Sequence, residues 1–128
     1  MMIWVAGLSA AMFAAGVSAE QAAAARPAKN PVASTPQSIA AGKASFQKYC
    51  RFCHGVEGKG DGPMAPKDTH PSDLTDAAWD HGSADVDIFQ VIAEGAPPKF
   101  VMKGFKRKMT ATDIWNVVNF IQSLKVPK

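Results

Sequence analysis

Apolar residues recur every three or four positions near the end of the chain, which is the spacing of one face of an α-helix. The residues on this face are Ile114, Val117, Val118, Ile121 and Leu124. Thr110 and Asp113 precede them in the arrangement of a capping box, so the helix is predicted to begin at Thr110. Met109, directly before the cap, is predicted to pack as a hydrophobic staple.

Two earlier segments show the same spacing. A helix is predicted from Ser38 to about Phe52, and a shorter one over residues 85–94, where Gly95 ends it. Their apolar faces are formed by Ile39, Phe46 and Tyr49 in the first helix and by Val86, Phe89 and Ile92 in the second. Gly42 lies on the first face without a side chain, which predicts the close approach of another helix, most simply the last one.

The first 37 residues differ in composition from the rest. Residues 1–19 contain no charged side chain and end in small residues, which predicts an export signal cut after Ala19, with an uncleaved membrane anchor as the alternative. Residues 20–37 are rich in Ala and Pro without apolar periodicity, so they are interpreted as a linker. The folded domain is therefore assigned to residues 38–128, in an oxidising compartment such as the periplasm.

Both cysteines of the chain lie in the motif "CRFCH", residues 50–54. A disulfide across C-x-x-C would close a very small loop, and a redox pair of this spacing belongs to a βαβ setting that the sequence lacks. A closed zinc site would need a second ligand pair, and His70 and His81 stand far apart. The motif instead predicts covalent attachment of a c-type haem through Cys50 and Cys53, with His54 on the iron.

An electron carrier needs a sixth iron ligand from the opposite face of the haem. The candidates are Met64, Met102, Met109, His70 and His81. Met102 is favoured because two prolines and two glycines forbid a regular helix between residues 94 and 109, and loops of this kind often carry ligands. Met64 follows His54 too closely to wrap around the haem, and the two histidines are typical of solvated loops.

Five stretches occur in an order that resembles the small bacterial class I c-type cytochromes, over Ser38 to Leu124. They are "CRFCHG", "GKGDGP", "SADVDIFQVIAEGAP", "MKGF" and "DIWNVVNFIQSL". The resemblance implies an all-α fold of three to five helices wrapped around one covalent haem c, with His54 and Met102 as axial ligands. It also implies one-electron transfer rather than enzymatic catalysis. Three helices alone enclose little apolar area, so the haem would form part of the core.

Three further residues are singled out. Pro63 resembles the loop proline of this family whose carbonyl accepts the Nδ1–H of the proximal histidine, here His54. The family often has Met-Pro-Gly-Phe where this chain has Lys103 after Met102. Trp115 is predicted to lie in the core, whereas Trp79 is either a donor to a haem propionate or a buried loop aromatic.

Charge is unevenly distributed along the chain. Residues 57–94 contain nine acids against two lysines, and residues 95–128 contain seven bases against Asp113. Five of these bases surround Met102 and are called the basic rim: Lys99, Lys103, Lys106, Arg107 and Lys108. The rim predicts steering of an acidic redox partner, whereas nucleic acid is disfavoured because the chain lacks an aromatic stacking pattern.

Three functions are compatible with these features. The favoured one is a periplasmic electron carrier with His/Met coordination. The second is the haem subunit of a membrane or dehydrogenase complex, docked on a catalytic subunit or tethered to the membrane through its N-terminus. The third is a haem enzyme or gas-binding protein with an open iron site, which the available loop methionine and the lack of a recognisable distal His-Arg pair disfavour.

Overall fold

The computed structural model describes residues 29–76 and 78–125. Within these ranges the chain forms four helices and no strand: α1 Pro36–Tyr49, α2 Arg51–His54, α3 Asp85–Glu94 and α4 Ala111–Leu124. An isolated antiparallel bridge joins Gly95 to Lys103. The domain is all-α, as predicted, and its core lies among α1, α3 and α4.

The first predicted helix needs two corrections. It begins at Pro36 rather than Ser38, because Thr35 caps it and its side chain accepts a hydrogen bond from the Ser38 N–H at 3.1 Å. Proline suits the first turn of a helix, where an N–H has no partner within the helix. The helix is also divided at Cys50, where the chain bends before α2 begins at Arg51.

The crossing of α1 and α4 confirms the prediction made from Gly42. A Cβ at Gly42 would overlap the backbone carbonyl of Asn116 and lie 2.9 Å from the Cβ of Phe120. Below this point the rings of Phe46 and Phe120 pack with centroids 5.2 Å apart, and Phe46 is fully buried. Ser38 Oγ donates to Asn116 Oδ1 at 2.8 Å beside the crossing.

The described end of the predicted linker packs on α4. Asn30 Nδ2 donates to Asn119 Oδ1 at 2.7 Å, and Asn119 Nδ2 donates to the carbonyl of Val32 at 3.1 Å and to Ser38 Oγ at 2.7 Å. Val32 also packs against the hydrophobic core. Contacts with the folded domain therefore begin before Ser38, because a buried asparagine of α4 takes backbone partners from this segment.

Helix α3 has the predicted bounds. Ile88, Ile92 and Ala93 are buried, and Phe89 stacks on Trp115 with ring centroids 4.1 Å apart. Trp115 is 3% exposed, which confirms its predicted place in the core.

None of the helices in the described ranges has the length and apolar character needed to cross a membrane. The predicted export signal or anchor, residues 1–19, and the first part of the predicted linker lie outside these ranges.

Helix α4 begins with the predicted capping box. Thr110 Oγ1 accepts from the Asp113 N–H at 3.1 Å, and the Asp113 carboxylate accepts from the Thr110 N–H at 3.0 Å. Hydrogen bonds from the hydroxyl and then the N–H of Thr110 hold the pKa of Asp113 below its ordinary value. Met109, 7% exposed, is buried directly before the cap, as expected of a staple.

We expect this box to make part of the stability dependent on acid pH. Because the folded pKa of Asp113 is below its unfolded value of about 3.9, its contribution is complete above the unfolded value and is lost as the pH falls through the folded one. Thr110→Ala should lower the free energy of unfolding by about 1 kcal/mol near neutral pH. Denaturant unfolding of the holoprotein at several pH values measures both effects.

The variant Asp113→Asn should lose less stability than the wild type between about pH 4 and the acid limit. Asp68→Asn removes a charge of the same sign from an exposed loop and serves as the control. Identical acid profiles for Asp113→Asn and the wild type would contradict the assignment.

Candidate functional site

The C-x-x-C-H motif lies at the bend between α1 and α2. The Cys50 N–H donates to the carbonyl of Phe46 at 2.8 Å, and the His54 N–H donates to the carbonyl of Cys50 at 3.0 Å. The bend therefore keeps helical hydrogen bonding on both sides. One continuous backbone stretch holds the two thiols and the imidazole of the motif.

No disulfide joins the two cysteines. Cys50 is buried and Cys53 is half-buried, with its Sγ 3.6 Å from the carbonyl oxygen of Met64. Burial, and secondly the charge of Cys53, raises the pKa of Cys50 to about 12. Across residues 29–76 and 78–125, no three His, Cys, Asp or Glu side chains are grouped to hold a metal ion, so the zinc alternative finds no ligand set there.

The imidazole of His54 has a buried nitrogen without a partner. Nδ1 makes no hydrogen bond, so the bond predicted from it to the carbonyl of Pro63 is not formed. Burial lowers the pKa of His54, and the backbone of Ser72 opposes this shift more weakly. The ring thus favours its neutral form, which is the form that ligates metals.

The loop after the motif closes the end of α2. Three of its N–H groups donate to the last three carbonyls of α2: Gly60 to His54 at 2.8 Å, Gly62 to Cys53 at 3.0 Å, and Met64 to Phe52 at 2.7 Å. A Cβ at Gly62 would overlap the carbonyls of Phe52 and Cys53, so glycine is required there. These three backbone hydrogen bonds were not predicted, although the repeated glycines of "GKGDGP" indicate that the backbone can approach another segment closely there. It brings N–H groups to α2 and leaves Pro63 exposed.

Met102 lies in the irregular loop between α3 and α4, as predicted. The base of this loop is closed by the bridge between Gly95 and Lys103 and by a hydrogen bond from the Ala96 N–H to the Met102 carbonyl at 3.0 Å. Met102 is half-buried against the core.

The end of the same loop is pinned to α3. A Cβ at Gly104 would overlap the carbonyl of Ala93, and the Phe105 N–H donates to the carbonyl of Ile92 at 2.8 Å. Phe105 also packs on Tyr49 of α1, with ring centroids 6.0 Å apart. Backbone contacts therefore restrain the loop although Lys103 stands where the family often has proline.

The other candidate ligands lie in different environments. Met64 is 67% exposed, whereas Met109 is buried beneath the start of α4. His70 and His81 are exposed, as expected of solvated loop residues. Among the candidate methionines, Met102 is thus the one that is partly buried in an irregular loop.

Trp79 is a half-buried loop aromatic. Its Nε1–H donates to the carbonyl of Asp73 at 2.9 Å, and Lys125 Nζ lies 4.5 Å from the centre of its ring. The indole N–H is thus already paired, which favours the predicted loop aromatic over a donor to a haem propionate. The sequence did not indicate this backbone partner.

All five residues of the basic rim are exposed. Lys106 pairs with Glu94 at 2.6 Å, and it is the one member of the rim that forms an ion pair within the described ranges. Lys108 Nζ lies 5.9 Å from the centre of the Phe105 ring. Most of the positive charge around the Met102 loop therefore remains unpaired within these ranges.

Comparison with known proteins identifies the fold. The sequence model of the cytochrome c family matches residues 39–125. No protein of curated function matches the chain in sequence.

Similar solved structures include the following three. A chain of the Kuenenia stuttgartiensis reducing HAO-like protein complex Kustc0457/Kustc0458 has a TM-score of 0.67 and 28% identity, over 75% of this chain and 47% of that chain. The KustC0563 c-type cytochrome has a TM-score of 0.56 and 27% identity, over 66% of this chain and 98% of that chain. Cytochrome cL of Methylophaga aminisulfidivorans, with a TM-score of 0.58 and 23% identity over 70% of this chain and 55% of that chain, supports the fold alone. This chain thus spans about half the length of the first and third of these structures.

The family match implies covalently attached haem c, and the site fits this group. Two cysteines with C-x-x-C spacing and the adjacent imidazole lie on one helical stretch. A half-buried thioether lies in a restrained loop.

Proposed function

The chain belongs to the cytochrome c family, and we propose that it is a periplasmic one-electron carrier with His/Met coordination. Cys50 and Cys53 would attach the haem, and His54 and Met102 would bind its iron. The observation that carries the proposal is the C-x-x-C-H turn, where both cysteines and the adjacent imidazole lie on one hydrogen-bonded helical stretch. The bound haem supplies a reversible one-electron change at iron.

The protein's own residues have separate roles in this proposal. Cys50 and Cys53 fix the position of the group relative to α2. The N–H groups of the 60–64 loop satisfy the carbonyls at the end of α2, and they hold the backbone of His54 in place. The restrained loop between α3 and α4 presents the Met102 thioether. Such preorganisation suits electron transfer, because little needs to move when the charge on iron changes.

The first prediction concerns attachment. Haem in the wild-type holoprotein should survive acid-acetone extraction and denaturing gels, because thioether bonds hold it. Cys50→Ala and Cys53→Ala should each retain at most one bond and mature poorly, and the double variant should lose covalent haem. Intact-protein mass spectrometry measures the attached mass.

The control for attachment is Phe52→Ala, which lies between the two cysteines and leaves both thiols in place. It should retain two thioether bonds. Free thiols in the wild-type holoprotein, detected by alkylation, would contradict the proposal.

The second prediction concerns the sixth ligand. A thioether favours ferrous iron and raises the reduction potential, so Met102→Ala should lower the potential. The same variant should abolish the weak far-red absorption band of ferric iron bound to sulfur, and should let carbon monoxide bind. Visible spectroscopy and redox titration of the holoprotein measure these effects.

Met109→Leu is the control, because it preserves volume and apolarity at the buried staple position. It should retain the band and the potential. Loss of the band in Met109→Leu together with its retention in Met102→Ala would show that Met109, and not Met102, is the ligand.

Redox partners are proposed to approach through the basic rim. Its unpaired charges surround the Met102 loop, next to the proposed site of electron exchange. Charge of one sign near such a site raises the rate of encounter with a partner of opposite sign, by roughly 10-fold to 10³-fold at low ionic strength. The proposed partner class is therefore an electron-transfer protein with an acidic surface.

The third prediction tests this steering. Reversal of Lys103, Arg107 and Lys108 to Glu should slow electron exchange with an acidic partner by about tenfold or more at low salt and flatten its salt dependence. The visible spectrum should change little. Stopped-flow measurements over a range of ionic strength provide the test.

Reversal of Lys29, Lys43 and Lys67 to Glu is the matched control, since all three are exposed and the change in net charge is the same. This control should reduce the rate much less. Equal effects of the two triple variants would show that net charge matters rather than the rim.

A second candidate function is that of a haem subunit in a larger assembly. The observation that favours it is the likeness to a chain of the HAO-like protein complex, which covers 47% of that chain. In such an assembly the chain would dock on a catalytic subunit or be tethered to the membrane through its N-terminus. Mass spectrometry of the mature N-terminus and the native size of the protein in its cell extract distinguish it from a free periplasmic carrier.

A further inference from the structure

We propose that Tyr49 is a positioning residue for the sixth iron ligand, because its ring packs on Phe105 and holds the Met102 loop against the C-x-x-C-H half of the site. Tyr49 itself binds neither haem nor iron in this role, and it acts on Met102 through Phe105. The inference rests on the function proposed above, since it concerns a ligand of the same site.

The two halves of the site belong to different parts of the fold. The C-x-x-C-H motif follows α1, whereas the Met102 loop follows α3. Helices α1 and α3 each pack on α4, and within residues 29–76 and 78–125 their backbones do not approach each other. A side-chain contact that joins the two halves directly therefore restrains a distance that otherwise depends on packing through α4.

Tyr49 and Phe105 form such a contact. Their ring centroids lie 6.0 Å apart with an angle of 57° between the ring planes, which is a favourable tilted arrangement for two aromatic rings. Tyr49 directly precedes Cys50 of the motif, and Phe105 follows Met102 by three residues. The contact thus joins a position next to the proposed attachment point to a position close to the proposed ligand.

Phe105 is held firmly on the loop side of the contact. Its N–H donates to the carbonyl of Ile92 at 2.8 Å, and its carbonyl accepts from the N–H groups of Lys108 at 2.8 Å and Met109 at 3.0 Å. Because both of its backbone polar groups are bonded, the ring cannot move far without the loop. A partner for the Phe105 ring is therefore a restraint on the loop that carries Met102.

The aromatic rings, rather than the hydroxyl of Tyr49, make this contact. Tyr49 is half-buried and packs against the core. Lys48 Nζ lies 5.0 Å from the centre of its ring, and Lys108 Nζ lies 5.9 Å from the centre of the Phe105 ring. Cations at these distances favour aromatic faces over aliphatic side chains. Phenylalanine at position 49 should preserve the contact, whereas leucine should lose it.

The contact acts on the equilibrium between bound and released Met102. Because the loop must shift when the thioether leaves the iron, the contact is made in the bound state and lost in the released one. An aromatic pair changes such an equilibrium constant by roughly threefold to tenfold. A small ligand that replaces Met102 binds with an apparent affinity proportional to the released fraction. The apparent affinity for such a ligand therefore measures how firmly the loop is held.

The test measures binding of imidazole to the ferric holoprotein, because imidazole must displace the Met102 thioether. Tyr49→Leu should raise the apparent affinity for imidazole by about threefold to tenfold. Tyr49→Phe retains the ring and should stay within about twofold of the wild type. Phe105→Leu removes the other partner and should act like Tyr49→Leu, and the double variant should add little to either.

Phe89→Leu is the matched control, since it removes a half-buried ring that stacks on Trp115 and leaves the contact of Tyr49 with Phe105 in place. It should lower the free energy of unfolding, as Tyr49→Leu does, yet keep the imidazole affinity within about twofold of the wild type. Denaturant unfolding of each holoprotein measures the stability. A merely structural role of Tyr49 would affect unfolding alone.

A second background separates this inference from the function on which it rests. In Met102→Ala no thioether remains to be displaced, so adding Tyr49→Leu should not change the imidazole affinity further. Failure of the proposed ligand would instead appear without any change at Tyr49, as equal imidazole affinities of the wild type and Met102→Ala.

Unchanged imidazole affinity in both Tyr49→Leu and Phe105→Leu would overturn the inference. Equal increases in Tyr49→Leu and Phe89→Leu would also do so, since they would reflect general loosening of the fold. An effect of Tyr49→Leu that persists in full in the Met102→Ala background would show that Tyr49 limits access to the iron rather than positioning its ligand.

Discussion

The close crossing of α1 and α4 at Gly42 fixes both halves of the site. Because no side chain separates the backbones, Phe46 packs directly below the crossing on Phe120 of α4. The Phe46 ring also lies 6.4 Å from the imidazole of His54, centroid to centroid. One turn further along α1, Tyr49 contacts Phe105 at the end of the Met102 loop. The crossing thus sets where the C-x-x-C-H turn stands relative to the loop that carries the proposed sixth ligand.

Backbone hydrogen bonds, rather than side-chain networks, hold the two functional loops. The loop after the motif donates three N–H groups to the end of α2, and the Met102 loop is closed at Gly95 and pinned to α3. Glycines at positions 62 and 104 permit these close approaches. Since the restraint comes from the backbone, the side chain of residue 103 is free to vary, and a lysine there adds charge to the rim without loosening the loop's base.

The features that the sequence predicts well are those with a local signal. Apolar spacing located α3 and α4, the Thr110 and Asp113 pair located a helix start, and Gly42 located a crossing. The break between α1 and α2 at Cys50 has no such signal in the sequence. In the structure the residues on both sides of it keep helical hydrogen bonds.

Features that depend on distant partners were not predictable. The amide of Asn119 is satisfied by Asn30, Val32 and Ser38, more than eighty residues away in the sequence. The same holds for the partner of Trp79, whose indole N–H donates to the backbone carbonyl of Asp73. Because every residue has such a carbonyl, the sequence does not mark this one as the acceptor. The unpartnered Nδ1 of His54 belongs to this class as well, since only tertiary packing decides which carbonyl comes near the ring.

The Met102 loop is proposed to serve two functions that place opposite demands on it. As the holder of an iron ligand it must keep its shape, and as a docking surface it must expose charged side chains to a partner. The structure separates these demands within ten residues. Backbone contacts at Gly95, Ala96 and Gly104 restrain the base, whereas the side chains of the basic rim are exposed. A partner that binds the rim therefore meets a loop whose base is already restrained, and the closed base limits the displacement of the thioether on docking.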